Sequence, residues 1–325
     1  MTRYLLRRTA ASLVLVWVVL TTVFVALHAA PGDPFSRLTD PRIPPTQRER
    51  LRAIYGLDRP LPVQYGAWLT AWARGDWGTS FFYQRPVSQV LASKTAPTLL
   101  LGVSAFVVQF ALGGALGVAA ATGRRGARDR WLRLVTVALY SLPTFWVALM
   151  LALVMSRELG WFPAAGLSSP FAEEWGALRY ALDVAHHLVL PALALGVPPS
   201  AFVARLVRNQ LLDELARGYV TAARARGLGE ARVLLHAARN ATAPLIQLAG
   251  ISLPLLLGGA VVVETVFGWP GLGSTLYEAI QARDYPLVLG LAGVSAFLVI
   301  AGNLVADLLL AALDPRVTLD PLEAA

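Results

Sequence analysis

Six apolar runs constrain this chain more than any other feature in it: about Ala10–Ala30, Ala96–Ala121, Leu134–Met155, His187–Ala204, Leu245–Phe267 and Pro286–Ala311. A helix crosses a bilayer core of about 30 Å with roughly 20 apolar residues, so each run is read as a membrane span. A chain of 325 residues has room for two soluble domains, but 56% apolar composition argues against them. The expected fold class is an all-α membrane protein with six transmembrane helices.

Charge orders the spans. The formal charge of +8 comes almost entirely from arginine, Lys94 being the sole lysine. In a soluble protein this balance would suggest nucleic acid. Here the arginines flank the apolar runs, so anionic lipid and topology account for them. With the N-terminus inside, the tail ends, the loop 124–133 and the segment 205–244 carry 16 arginines, while the two short outer loops carry Arg157, Arg179 and Arg283. That asymmetry fits the positive-inside rule and puts both termini in the cytoplasm. Residues 31–95 are then extracytoplasmic, and they exceed the length over which the rule counts. The first run is long for a signal peptide, and His28-Ala29-Ala30 is a poor cleavage site, so it is read as an uncleaved span.

Individual spans carry marks of their own. Gly113, Gly114 and Gly117 provide small residues four apart, which let helices approach closely. Gln109 is the one strongly polar residue inside that run. Pro143 predicts a kink in the third span, and Pro191, Pro198 and Pro199 punctuate the fourth. Glu264 lies about 30 Å along the fifth run from Pro244 and Asp307 about 31 Å along the sixth from Pro286, at 1.5 Å per residue. Both are therefore read as interface residues rather than midplane ligands, because a carboxylate at a helix centre costs about 2.5–3.5 kcal/mol on the insertion scale. Outside the membrane, Gln47–Tyr55 reads as a short helix, and Trp68, Trp72 and Trp77 suggest a small folded or interfacial element.

The longest polar run between two spans is Asp213–Pro244. Leu211, Leu215, Tyr219 and Ala222 recur at helical spacing, opposite Asp213, Arg217, Thr221 and Arg224, with Asp213 and Arg217 set to pair at i,i+4. Gly227-Leu228-Gly229 breaks the helix. A second helix follows from Glu230, with Val233, Leu234, Ala238 and Ala241 on one side and Arg232, His236 and Arg239 on another. A helix, a glycine break and a helix between two spans make a compact surface knob. By pattern alone it is either an amphipathic loop lying on anionic lipid or a docking knob for a soluble partner.

Chemistry is conspicuous by its lack. There is no G-x-x-x-x-G-K-[ST] phosphate loop, no H-E-x-x-H and no G-x-S-x-G. The chain has no cysteine, and the adjacent His186 and His187 have no zinc-site spacing. No catalytic, cofactor-binding or metal residue is assigned, and the chain is expected not to be an enzyme. No span carries two acidic residues near its middle, which speaks against an ATP-independent secondary transporter or channel, the alternative reading. A membrane-anchored scaffold would not need six spans.

Ala222-Ala223-Arg224-Ala225-Arg226-Gly227-Leu228 resembles the cytoplasmic coupling loop of type I ABC importer permeases (the MetI-like fold), and its context resembles the dipeptide/oligopeptide/nickel group. Similar blocks recur at Pro31–Pro34, Tyr55–Leu61, Gly75–Ser80, Ser141–Trp146, Leu159–Ala164, Glu264–Gly273 and Ala312–Arg316. One departure is Thr221, which stands where the loop's eponymous glutamate would be; the peptide branch often lacks that glutamate. The resemblance implies a permease subunit of an ATP-driven, binding-protein-dependent importer, with di- or oligopeptides as the expected cargo. It implies a second permease subunit, two cytoplasmic ATP-binding subunits that hold the ATP and magnesium, an extracytoplasmic substrate-binding protein and the lipid bilayer as partners, with no nucleic acid and no cofactor on this chain. It points to Tyr219, Ala222, Ala223, Arg224, Gly227 and Leu228 as the ATPase-coupling residues, and to no particular lining of the path. Residues 1–95 are expected to form the first span plus the outer segment, 96–313 the permease core with its coupling loop at 205–244, and 314–325 a cytoplasmic tail, all in a multi-pass cell-membrane protein.

Overall fold

The computed structural model of the chain describes residues 2–29, 58–123 and 126–313. The segments Pro31–Pro34, Gln47–Tyr55 and the tail 314–325 lie outside the described residues. In chain order the helices are α1 (Thr2–Ala29), α2 (Leu61–Ala73), α3 (Val87–Thr122), α4 (Ala127–Ser141), α5 (Thr144–Leu151), α6 (Ala177–Leu215), α7 (Gly218–Ala225), α8 (Glu230–Asn240), α9 (Ala243–Gly259), α10 (Val261–Val266), α11 (Leu272–Ala282) and α12 (Tyr285–Leu313). The α5 helix runs on as a π-helical turn, Ala152–Glu158. Among the described residues the regular structure is otherwise helical, apart from a single bridge between Thr79 and Pro86.

Among the described residues four helices are long and apolar enough to cross a membrane: Thr9–Ala29, Val87–Thr122, Ala177–Leu215 and Tyr285–Val305. The third apolar run is not one kinked helix. Arg130–Ser141 and Thr144–Glu158 meet at 99°. Pro143 sits at the break in extended backbone (φ −62°, ψ 134°), and it removes the N–H that a continuous helix would need there. The fifth run is divided at Ala260 into the 17 residues of α9 and the short α10. The prolines of α6 do not break it. Large apolar side chains stand exposed on these helices, among them Leu13, Trp17, Val107, Trp131 and Phe297. Such a surface suits hydrocarbon rather than water.

The chain divides into two compact units, residues 1–96 with 271–298, and residues 97–270 with 299–325. The smaller unit joins α1, α2, the start of α3, α11 and most of α12 around Val87, Leu91, Leu272, Ala279, Leu287 and Leu291. The expected tryptophan-rich element is α2. Pro60 and Pro62 open it, as proline's fixed φ favours. It carries Trp68 onto Phe24 at 5.3 Å between ring centres and Trp72 onto Trp77 at 6.1 Å. Asp284, fully buried, accepts hydrogen bonds from the Ser80 hydroxyl (2.5 Å) and from the N–H groups of Phe82 (2.9 Å) and Leu287 (3.2 Å). It thereby caps α12 and ties down the turn that follows Trp77. On the same turn the Tyr83 hydroxyl donates to Glu278 at 2.6 Å. Burial, helped by that carboxylate, pushes Tyr83 from the usual 10.0 up to about 12. The folded state therefore keeps this proton after the unfolded chain has lost it. The contribution of Tyr83 to stability is fully present below pH 10 and is lost as pH rises from 10 to about 12. A wild-type minus Tyr83→Phe ultraviolet titration should show one phenol ionising near 12; ionisation near 10 would contradict the contact.

The larger unit is built on a close crossing of α3 and α6. A β-carbon placed on Gly113 would lie 2.5 Å from Val203 Cβ, and one on Gly117 would lie 2.6 Å from Val207 Cβ. On the other helix, one on Gly196 would lie 2.5 Å from the Ala105 carbonyl oxygen. The expected small-residue face is thus Gly113 and Gly117, while Gly114 meets nothing within 4 Å. Leu101, Ala105, Ala148, Leu190, Ala194, Val263, Phe267 and Trp269 form the core beside this crossing. Glu264 belongs to that core and is fully buried. The Thr98 hydroxyl donates to its carboxylate at 2.8 Å, and the Trp269 indole N–H donates to the Pro97 carbonyl at 2.9 Å. Gln109, also buried, donates to the Ser252 hydroxyl at 3.3 Å. The side chain of Asp307 lies outside the described residues.

Candidate functional site

The segment between α6 and α9 folds into a knob of two short helices. α6 ends at Leu215, and the expected single helix through 211–224 does not form. Arg217 is extended (φ −73°, ψ 151°), and α7 restarts at Gly218. The restart turns the register, so Val220 and Ala223 face inward while Thr221 and Ala222 face out. It also changes the expected ion pair: Arg217 reaches Glu214 at 3.1 Å, not Asp213.

The turn between α7 and α8 depends on glycine. Gly227 has φ +82°, a left-handed conformation that side-chain-bearing residues adopt only at a cost. Its N–H bonds to the Arg224 carbonyl at 2.9 Å, and the Leu228 N–H bonds back to the Ala223 carbonyl at 3.2 Å. This pair of bonds satisfies carbonyls that the end of α7 would leave bare. Leu228 then packs on the small core of Val220, Ala223 and Val233. α8 begins at Glu230 as expected. Its inner face, Leu234, Ala237 and Ala238, together with Ala241 at its C-cap, packs with Ala121 of α3 and Val207 and Leu211 of α6. The knob is therefore seated on the ends of two long helices rather than lying apart from them.

Two polar clusters hold it. At the base, the Tyr219 hydroxyl donates to the buried Glu214 at 2.8 Å. Desolvation, and that carboxylate in opposition to a hydrogen bond from Asn240, leave the Tyr219 phenol above its ordinary value. At the tip, Arg224 Nε and Nη2 meet the two oxygens of Glu230 at 2.7 and 3.0 Å. That forked contact holds the Glu230 carboxyl below the usual range and the Arg224 guanidinium above its own.

Of the residues singled out in the sequence, Ala222, Arg224 and Gly227 lie on the knob's surface, Tyr219 and Leu228 are half-buried, and Ala223 points into the knob. Glu214, Glu230 and Asn240 were not singled out. Only Glu230 left a signal, as an acid in the first turn of a helix, where the helix dipole favours it. Among the described residues no three His, Cys, Asp or Glu side chains group as a metal site would require.

Residues 113–319 match the family described as binding-protein-dependent transport system inner membrane component, and residues 1–102 match its N-terminal companion. The chain is 37% identical over 319 residues to the oligopeptide transport system permease protein AppB of Bacillus subtilis, covering 98% of this chain and 99% of that one. It is 35% identical over 318 residues to the glutathione transport system permease protein GsiC of Salmonella typhimurium, again covering 98% and 99%. The solved MetNI methionine ABC transporter, in an inward-facing conformation, superposes on 70% of this chain and 97% of its own with a TM-score of 0.54 at 20% identity. That likeness establishes the MetI-like permease fold. A multi-pass membrane chain with this fold, matched over nearly its full length, belongs to the binding-protein-dependent transport system inner membrane components, a family of transport permease subunits rather than enzymes.

Proposed function

We propose that the chain is the permease subunit of an ATP-driven importer for di- or oligopeptides, and that α7–Gly227–α8 is the lever through which cytoplasmic ATPases act on it. A second permease subunit completes the path, two ATP-binding subunits carry the ATP and magnesium, and an extracytoplasmic binding protein delivers cargo. The peptide class rests on relatives such as AppB, whose name gives oligopeptide transport. The coupling role is supported above all by how the knob is seated. Ala237 of α8 and Ala241 just beyond its end pack with Ala121, Val207 and Leu211, so a push on the tip is delivered to α3 and α6 through close-packed side chains. In this reading six spans place both termini and the knob in the cytoplasm and residues 31–95 outside. Ala222, Arg224 and Gly227 meet the ATPase, while Tyr219, Ala223 and Leu228 shape the surface they stand on. No nucleotide chemistry falls to this chain.

The test is Gly227→Val. A β-carbon there meets nothing within 4 Å, so the variant is penalised only by its backbone conformation. That penalty is roughly 1–2 kcal/mol, and more for a β-branched residue. The chain should still reach the membrane, while ATP-dependent peptide uptake falls to background because the tip is rebuilt. Normal uptake by Gly227→Val would end the lever reading. The chain lacks cysteine, so Arg226→Cys gives a single labelling site; an impermeant maleimide should reach it only from the cytoplasmic side.

A further inference from the structure

The tip of the knob carries three exposed charges close together in sequence, Arg224, Arg226 and Glu230. An acidic partner surface would attract either arginine. The structure distinguishes them. Arg224 is engaged inside the knob by a two-point contact with Glu230, at 2.7 and 3.0 Å, spanning the glycine turn. Arg226 forms no ion pair among the described residues and is exposed.

The contact cannot matter much as a source of stability. Arg224 is 43% and Glu230 74% exposed, and solvent-exposed ion pairs contribute little. What a forked guanidinium–carboxylate contact does supply is geometry, because two parallel hydrogen bonds fix direction as well as distance. The turn has need of it. Gly229, which precedes α8, has no side chain to cap the helix, and no side-chain cap is made there. Gly227 and Gly229 both leave the backbone freer than any other residue would. Apolar packing of Leu228 and Val233 on Val220 and Ala223 holds the two helices together without fixing a direction; the Arg224–Glu230 clasp is the polar side-chain contact that spans the turn.

We infer that Glu230 is a positioning residue of the coupling knob: by clasping Arg224 across Gly227 it sets the angle between α7 and α8, and it leaves Arg226 as the tip arginine presented to an acidic partner surface. The inference rests on the lever reading above. It assigns a purpose to an exposed acid in an otherwise basic tip: Arg224 still belongs to the surface that meets the ATPase, but its charge is already engaged by Glu230. Glu230 acts on coupling through Arg224 and the turn, not by touching nucleotide or cargo.

The experiment uses the full assembly reconstituted in liposomes, with binding protein loaded from a tryptic casein digest as the probe. Two measurements are made. One is the spin-label distance distribution between Ala225→Cys and Arg232→Cys, which reports the turn alone. The other is the ratio of probe-stimulated to basal ATP hydrolysis. Glu230→Gln and Arg224→Ala should broaden the distance distribution and lower the ratio about tenfold, within the usual span of a coupling free energy, while the ATPases still co-purify. The reversed pair Arg224→Glu with Glu230→Arg should restore a narrow distribution and bring the ratio back to within about twofold, since the clasp is re-formed with its ends exchanged. A purely structural loss would not be rescued in this way. Arg226→Glu should lower ATPase co-purification without changing the distance distribution. An unchanged distribution or ratio in Glu230→Gln, or a reversed pair no better than the single variants, overturns the inference. If Gly227→Val is inert in the same assembly, the lever reading falls and the inference with it. If Gly227→Val abolishes stimulation while Glu230→Gln does nothing, the clasp alone is refuted.

Discussion

Gly117→Val should prevent the larger unit from forming, while Gly114→Val, three positions earlier on the same helix, should leave it intact. The two sites differ only in what stands opposite. At Gly117 the new β-carbon would sit 2.6 Å from Val207 Cβ and 2.7 Å from the Ala204 carbonyl oxygen. The second of these is backbone, so no rotamer change on α6 relieves it, and the helices must part. Packed interiors resist such separation because every neighbouring contact is lost with it. Overfilling a close-packed site costs about 1–3 kcal/mol for small additions, and valine adds two further methyl groups to the offending carbon. Gly113, one turn earlier and equally tight against Val203 and Ser200, prevents the chain from tilting around the obstacle. The expected outcome is a strong loss of membrane-inserted, folded chain and a large drop in apparent Tm in detergent, with Gly117→Ala intermediate. Equal melting of Gly117→Val and Gly114→Val would show that α3 and α6 do not cross as described. The consequence reaches the proposed function, because Val207 also belongs to the packing on which the knob is seated.

The glycines of α3 illustrate what the sequence makes legible. Small residues four apart mark a close approach, but only the partner helix reveals that Gly113 and Gly117 face it while Gly114 does not. The same division runs through the knob. Gly227 announces the turn because no other residue enters a φ of +82° without strain. The break at Arg217–Gly218 is harder to see, since the apolar spacing of Leu211, Leu215, Tyr219 and Ala222 continues across it. Where the helix stops, the Tyr219 hydroxyl reaches back five residues to Glu214. Apolar periodicity carries no information about such a polar contact. Distance along a helix likewise locates Glu264 near the end of a span but says nothing of the Thr98 hydroxyl that makes its burial tolerable. Pro143 signals a disturbance, yet a kink and a 99° bend have the same sequence.

Asp284→Ala should have the largest effect of any single side-chain truncation in the smaller unit. The carboxylate is fully buried and accepts three hydrogen bonds, one from the Ser80 hydroxyl, one from the Phe82 N–H and one from the Leu287 N–H. Removing it leaves those donors without the group they are aimed at. It also removes the cap of α12 and the anchor of the turn at 79–86 in one step. Ser80 has a second task that depends on the first: its oxygen accepts the Tyr83 N–H at 3.0 Å while its proton is given to Asp284. A lost buried donor–acceptor pair costs about 1–3 kcal/mol, and a group that anchors several costs more, though less than their sum. A loss of about 3–5 kcal/mol is therefore expected for Asp284→Ala. Asn is the informative control. Its single carbonyl oxygen can satisfy Leu287 or the Ser80–Phe82 pair, but its amide must then face the other donors, so Asp284→Asn should fall between wild type and Ala. Ser80→Ala deletes one of the three bonds to Asp284 together with the acceptor of the Tyr83 N–H, but it keeps the carboxylate and the α12 cap, and should be milder than either. Chymotryptic cleavage at Phe82 and Tyr83 reads the turn directly, and thermal melting reads the unit. Rapid cleavage and early melting in Asp284→Ala, graded through Asn and Ser80→Ala, is the expected order. If the proposed topology holds, this turn lies outside the membrane, where a binding protein would deliver cargo, and the same variants should lose binding-protein stimulation of ATP hydrolysis in that order. If Asp284→Ala resisted chymotrypsin as well as wild type does, the anchor would lie elsewhere, and the turn's place against α12 would have to be explained by Val87 and Leu287 packing alone.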